Sequence, residues 1–217
     1  MTKTYEQFRL YFESDVYFAP KDAVIDCIRK ACIEFCEQVR CVRLDASVIG
    51  LSEEIAEYDI NFSVGYYTPV ELGTAFLGDG TSEDAEIKVY TRKEMDQFFP
   101  RWRVRTTPGN ISGVFLTDNQ KLRVYPIPED DPDDELYLYD VIVKPSLTST
   151  RIEDLIYNNY IEAIKAGTLK HLFKQKGQDW YNPDRASEYE IDFEIDIADA
   201  KGERLQGVAD YSGSSMF

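Results

Sequence analysis

The sequence predicts an α+β fold: a helical bundle from the N- and C-terminal helices, with an inserted antiparallel β-sandwich or sheet. Three observations lead there. Apolar residues recur with a helical period over 20–39 and again over 152–200, they alternate with a period of two through much of 41–145, and Gly, Pro, Asn and Asp separate the runs. Helices at opposite ends of a chain bury their apolar stripes by meeting, so the β section between them becomes an insertion. The expected organisation is 1–40 with 146–201 as a helical bundle, 41–145 as the inserted β-rich domain, and 202–217 as a flexible tail.

The first element is a short helix over 3–13, with Phe8 and Phe12 one turn apart. Pro20 suits the start of the next helix, where its missing N–H costs nothing. From there Ala23, Val24, Cys27, Ile28, Ala31, Cys32, Phe35, Cys36 and Val39 form a wide stripe that Ile25 and Ile33 widen further, as in a helix buried on more than one side. After Arg40 the rhythm changes. Residues 41–45, 58–62 and 87–90 alternate, with Gly50, Gly65 and the Gly78-Asp79-Gly80 turn between them, which predicts a small antiparallel sheet. Residues 93–99 read as an amphipathic helix stopped by Pro100. Strands resume at 111–116, 121–125 and 136–143, joined by hairpin loops at Asp118-Asn119 and at 128–134, and Pro145 closes the section.

Ile152, Leu155, Ile156, Tyr160, Ala163, Ile164, Leu169, Leu172 and Phe173 then keep a helical period, with Gly177 as the residue that ends the helix. Asn182 and Pro183 supply an N-cap and first position for the last helix. Within it, residues 188–197 alternate strictly, which argues for a strand. They also fit a helix with two apolar faces, Ala186, Tyr189, Phe193, Ile197 and Ala200 on one and Ile191, Ile195 and Ala198 on the other. The Asn-Pro start selects the helix. A helix apolar on two sides is expected to be clamped between two neighbours, so Tyr189, Ile191, Phe193, Ile195, Ile197 and Ala198 are the candidate subunit-interface residues. The Gly- and Ser-rich tail from Gly202, ending in Met216-Phe217, is expected to be flexible on its own.

With 43% hydrophobic and 13% aromatic residues, the 217-residue chain has the apolar content of a packed domain and too much for a disordered one. A net charge of −16 repels phosphates, which argues against wrapping nucleic acid and against an anionic membrane while letting DNA slide past. No apolar run approaches the ~18–20 residues of a membrane span, and the charged, aromatic start lacks a signal-peptide pattern, so a cytoplasmic origin is expected.

Little in the sequence points to a reaction. His171 is the only histidine, which removes most triad schemes and every multi-histidine metal site. Cys27, Cys32, Cys36 and Cys41 contain no CxxC and read as buried thiols. Phosphate-loop, nucleophile-elbow and zinc-protease motifs are absent. The acidic run from Glu129 to Glu135 is a candidate Ca²⁺ or Mg²⁺ site, but it lacks the glycine and closing Glu of an EF-hand and reads as a solvated hairpin tip. Arg101, Arg103 and Arg105 around Trp102 read as salt-bridging cations more readily than as a nucleic-acid site. No metal, cofactor or catalytic residue is expected.

Several blocks of punctuation recur in a recognisable order: Trp102, Pro108-Gly109, Leu122 through Pro128, Val143-Lys144-Pro145-Ser146, Ile161 through Leu169, Gly177 through Pro183, then Ala186, Tyr189 and Phe193. Over about 92–200 the chain thereby resembles the head-to-tail adaptor, or connector, proteins of tailed bacteriophages. That resemblance implies a non-enzymatic virion protein of the phage neck. It implies a homo-oligomeric ring, usually of twelve subunits, docked on the portal protein, extending the channel for double-stranded DNA and receiving the tail or further neck proteins. It also implies a flexible end that reaches the portal, here the segment with Tyr211, Met216 and Phe217. The rival readings are a tail or baseplate component, a β-sandwich binding module, and a metal-dependent hydrolase.

Overall fold

The structure is a computed structural model that describes residues 2–63, 66–78, 85–103, 108–129 and 135–213, with side chains as far as 205. Along the chain the elements are β1 (Thr2–Thr4), α1 (Tyr5–Tyr11), α2 (Glu13–Val16), α3 (Lys21–Val39), β2 (Arg43–Leu44), β3 (Ile49–Gly50), β4 (Glu57–Tyr58), β5 (Tyr67–Glu71) and β6 (Thr74–Gly78). They continue as β7 (Ala85–Val89), α4 (Arg92–Phe98), β8 (Gly113–Leu116), β9 (Leu122–Tyr125), β10 (Glu135–Tyr139), β11 (Val141–Pro145), β12 (Arg151–Glu153), α5 (Asp154–Phe173) and α6 (Pro183–Gly213). The fold is mixed α+β. It divides into two compact units, Met1–Val42 with Lys144–Phe217, and Arg43–Val143.

In the first unit α3 buries the stripe the sequence shows from Val24 through Val39, while Ala23, Ile25 and Ile33 remain half-buried. Arg40, in the left-handed region at φ 57°, ends it. Three helices approach closely around Phe193 of α6, whose ring lies 6.4 Å from that of Phe35 on α3. Gly167 of α5 makes this approach possible. A Cβ there would stand 2.9 Å from both the Ala31 methyl and the Phe193 ring, closer than real contacts allow. Sequence periodicity missed the short antiparallel pair of β1 and β12, whose register is Lys3 opposite Ile152. Three-residue strands are too short to show a period. Gly177 takes φ 83° in the turn after α5, but it follows the C-cap Lys174 by three residues instead of capping the helix itself.

The second unit corrects the purely antiparallel expectation. Its main sheet has the order β3-β10-β6-β7-β8-β9-β4, and β7 runs parallel to β8 with Lys88 opposite Gly113. That parallel pair needs a crossover, which α4 supplies from a Thr91–Glu94 capping box. Residues 136–143, expected as one strand, form two. Asp140 sits at φ 55° between β10 and β11, and β11 pairs with β2 in a separate sheet ordered β2-β11-β5. The hairpin at Asp118-Asn119 forms, since β8 and β9 pair from Gly113–Tyr125 to Leu116–Leu122. The expected hairpin across 128–134 does not: β9 pairs with β8 and β4, and β10 with β3 and β6. Strands β5 and β6 were not distinguished in the sequence, where Pro69 and the Leu72-Gly73 break interrupt alternation. Residues 79 and 80 of the predicted glycine turn, and 130–134 of the acidic run, lie outside the described residues.

Candidate interaction face on the last helix

Helix α6 begins where the sequence places it, with the Arg185 backbone N–H donating to Asn182 Oδ1 at 3.1 Å. Because 188–197 lie inside this helix, strict alternation here marks two stripes on a cylinder and no strand. An i, i+2 spacing on a helix is about 200°, so alternation puts neighbouring pairs on opposite sides, and the i, i+4 members of each set realign.

The first stripe belongs to the chain's own core. Ala186, Phe193, Ile197 and Ala200 are buried. Tyr189 is half-buried and stacks on Phe173 of α5 at 5.8 Å and 16°. Polar contacts fix the same side: Lys174 Nζ reaches Glu190 at 2.6 Å, and an Arg204 guanidinium N–H donates at 3.1 Å to the carbonyl of Val39, the last residue of α3. Beneath Phe193 lies an ion cluster that sequence reading did not find. Lys170 Nζ is 4.7 Å from the centroid of the Phe193 ring and donates to both Glu34 oxygens at 2.7 and 2.8 Å. His171 Nε2 lies 3.1 Å from the second of those oxygens, so the lone histidine is half-buried in this cluster. Hydrogen bonding to His171 and then to Lys170 outweighs partial burial and holds the Glu34 carboxyl at about 2, well under its ordinary 4.5.

The second stripe is left mostly exposed among the described residues. Ile191 is 59% exposed and Ile195 55% exposed, and Ala198 beside them is exposed too. Thus of the six interface candidates, Phe193 and Ile197 are buried and Tyr189 half-buried inside the chain, and Ile191, Ile195 and Ala198 are exposed, with Ile195 at the edge of the cavity between α5 and α6. Carboxylates flank this outward face. Desolvation, then the nearby charges of Asp192, Asp199 and Glu162, raise the Asp196 carboxyl above its ordinary value. A shallow cavity of about 380 Å³ runs between α5 and α6 here, where Lys165 reaches Asp15 at 2.9 Å. What this surface offers is apolar area framed by negative charge.

The other sequence candidates are dispersed. Cys27, Cys32 and Cys36 are buried within α3, burial pushes the Cys27 thiol up to about 11, and Cys41 is half-buried. Arg103 pairs with Asp96 at 2.7 Å and Trp102 is buried, while Arg105 lies outside the described residues. Among the described residues no group of three or more His, Cys, Asp or Glu is placed to hold a metal ion, and no helix is long and apolar enough to cross a membrane. Helix α6 continues to Gly213, past the Gly202 where the tail was expected to begin. The interior glycines Gly202 and Gly207 each cost a helix about 1 kcal/mol, which the good helix formers Glu203, Arg204, Leu205, Gln206 and Ala209 around them offset in part. Tyr211 therefore has helical backbone, and Met216 and Phe217 lie outside the described residues.

A family model described as SU10 adaptor protein matches residues 6–215, nearly the whole chain. No curated protein matches it.

Proposed function

The chain belongs to the SU10 adaptor protein family, a family of the phage head-to-tail adaptor type, and from that premise we propose that it is a structural protein of the phage neck. In this reading, copies form a ring between the portal protein and the tail, twelve in the arrangement its sequence resembles, and the ring extends the channel for double-stranded DNA. The helical elements of the Met1–Val42 and Lys144–Phe217 unit form the ring wall as a bundle, and the Arg43–Val143 unit is the insertion. The C-terminal segment with Tyr211, Met216 and Phe217 docks on the portal.

The observation that supports this most is the divided helix α6, which uses one apolar stripe internally and leaves Ile191, Ile195 and Ala198 outward. An apolar stripe kept at the surface by a strongly acidic chain suits a neighbouring subunit. Its size also speaks to how assembly happens. Burying what remains exposed of two isoleucines contributes about 2–3 kcal/mol per interface, less than the roughly 4 kcal/mol or more that association costs in lost freedom. Isolated copies are then monomeric or weakly associated, and the ring forms on a portal that holds the subunits side by side.

Electron microscopy and native mass spectrometry of the protein with and without its portal test the reading. Rings are expected only on the portal, and Ile191→Asp with Ile195→Asp should abolish them while leaving the helical circular dichroism unchanged. Deleting 207–217 should weaken portal docking. A portal that stays bare at micromolar protein, or rings that survive the double substitution, would reject the assignment.

A further inference from the structure

The Arg43–Val143 unit contains a cavity of about 250 Å³ whose lining includes Glu57, Arg92, Trp102, Arg103, Asp118 and Arg123. Its walls come from several elements, with Glu57 on β4. Arg92 is the first residue of α4, set by the Thr91 cap, where the Glu94 backbone N–H donates to Thr91 Oγ1 at 3.2 Å. Trp102 and Arg103 follow the end of that helix, with Trp102 Nε1–H donating to Asp96 Oδ1 at 2.9 Å. Arg123 comes from β9, and Asp118 from the loop between β8 and β9. Trp102 is 7% exposed and lies under two guanidinium groups, Arg103 at 4.4 Å and Arg123 at 5.1 Å from its ring.

Three arginines converge here, matched one for one by Asp118, Glu57 and the adjoining Asp96, so the spot is neutral in a protein of net charge −16. The donors are also under-used. A guanidinium has about five N–H donors, and here Arg92 pairs with Asp118, Arg103 with Asp96 through two nitrogens, and Arg123 with Glu57 at 2.8 Å plus a long contact to the Trp102 carbonyl. Arg123 Nε is buried with no acceptor among the described residues. The Arg92 and Arg103 pairs are close to half exposed, so they are screened and rearrange at small cost.

We propose that this cavity binds an oxyanion of the phosphate class, either free phosphate or the phosphodiester of a nucleic-acid backbone. Converging guanidinium forks match the several acceptor oxygens of a tetrahedral anion, whereas a carboxylate offers only two. The volume suits a small anion with some water. This site stands whether or not the chain forms a ring, since every residue in it belongs to one unit of one copy.

The chain has two tryptophans, so Trp180→Phe leaves Trp102 as the sole tryptophan, which excitation at the red edge selects over the 15 tyrosines. At fixed ionic strength, sodium phosphate should change Trp102 emission saturably in the millimolar range or below, with sodium chloride as the control. Arg92→Gln and Arg103→Gln should each weaken binding at least about tenfold, and Arg101→Gln, outside the lining, should not. If either glutamine variant fails to fold by circular dichroism, the lysine variant replaces it and should show a smaller loss, because it keeps the charge without the fork. The Trp102 indole N–H resonance is a second reporter that needs no Trp180 change. A response to phosphate alone assigns the free ion. A response to a short DNA duplex with the same arginine dependence assigns the nucleic-acid backbone. No saturable change with either, a response indifferent to both arginines, or a response to a glutamate-rich peptide alone overturns the proposal.

Discussion

Replacing Glu34 by Ala tests whether the ion cluster under Phe193 holds α3 and α5 together. Lys170 is one of three buried polar or charged residues among those described, its side chain only 5% exposed, and both oxygens of Glu34 accept from its ammonium. Removing the carboxylate leaves that charge in contact with the Phe193 ring and no anion. Breaking a fully buried pair costs about 3–5 kcal/mol, and because Glu34 is one-third exposed the loss here should fall to about 2–3 kcal/mol. Urea unfolding followed at 222 nm measures it. Lys170→Met removes the need for a counter-charge at similar volume, so the double variant should recover most of the loss, giving a coupling of about 2 kcal/mol. The pH dependence adds a signed check. The folded carboxyl sits at about 2 against an ordinary 4.5, so its contribution is full above pH 4.5 and disappears as pH falls from 4.5 towards 2. Wild type should lose stability in that window more steeply than Glu34→Ala. A single variant within 0.5 kcal/mol of wild type on that measure, or strict additivity in the double, refutes the reasoning.

Gly167→Val should destabilise the protein by at least about 2 kcal/mol, since even a Cβ would lie 2.9 Å from Ala31 and Phe193; thermal unfolding measures this. Asn182→Ala removes the acceptor for the Arg185 N–H and should cost about 1 kcal/mol in chemical denaturation. Ile195→Asp, by contrast, should leave monomer stability within about 0.5 kcal/mol because the side chain is already more than half exposed. Thr91→Ala should loosen the start of α4, costing about 1 kcal/mol and raising amide exchange at Glu94, whose N–H Thr91 accepts.

Long helical patterns were legible in sequence because each repeats several times. Nine apolar residues mark α3, and Asn182-Pro183 marks the start of α6. The β unit was legible only as strand-rich. Strands of two to five residues carry too few alternations to define partners, and nothing local says that β7 runs parallel to β8 or that Asp140 divides β10 from β11. Two apolar sets on α6 were visible in advance, and the choice between helix and strand rested on a single cap. The arginine cavity was not visible as a cavity: Arg92, Arg103 and Arg123 are separated in sequence, and only Arg103 stood out, for its place beside Trp102.

By itself, then, the sequence determined where the long helices α3, α5 and α6 lie, though not where α6 ends, the acidic character of the chain and the presence of a second apolar stripe on α6, since these follow from the order of residues along one element. Tertiary structure decided which stripe is free. Phe193 is buried because Gly167 lets its ring come close to α5 and because Phe35 and Lys170 lie against it, while Ile191 and Ile195 have no such neighbours. Burial depends on what the rest of the chain brings to a face, and a helix cannot encode that in its own residues.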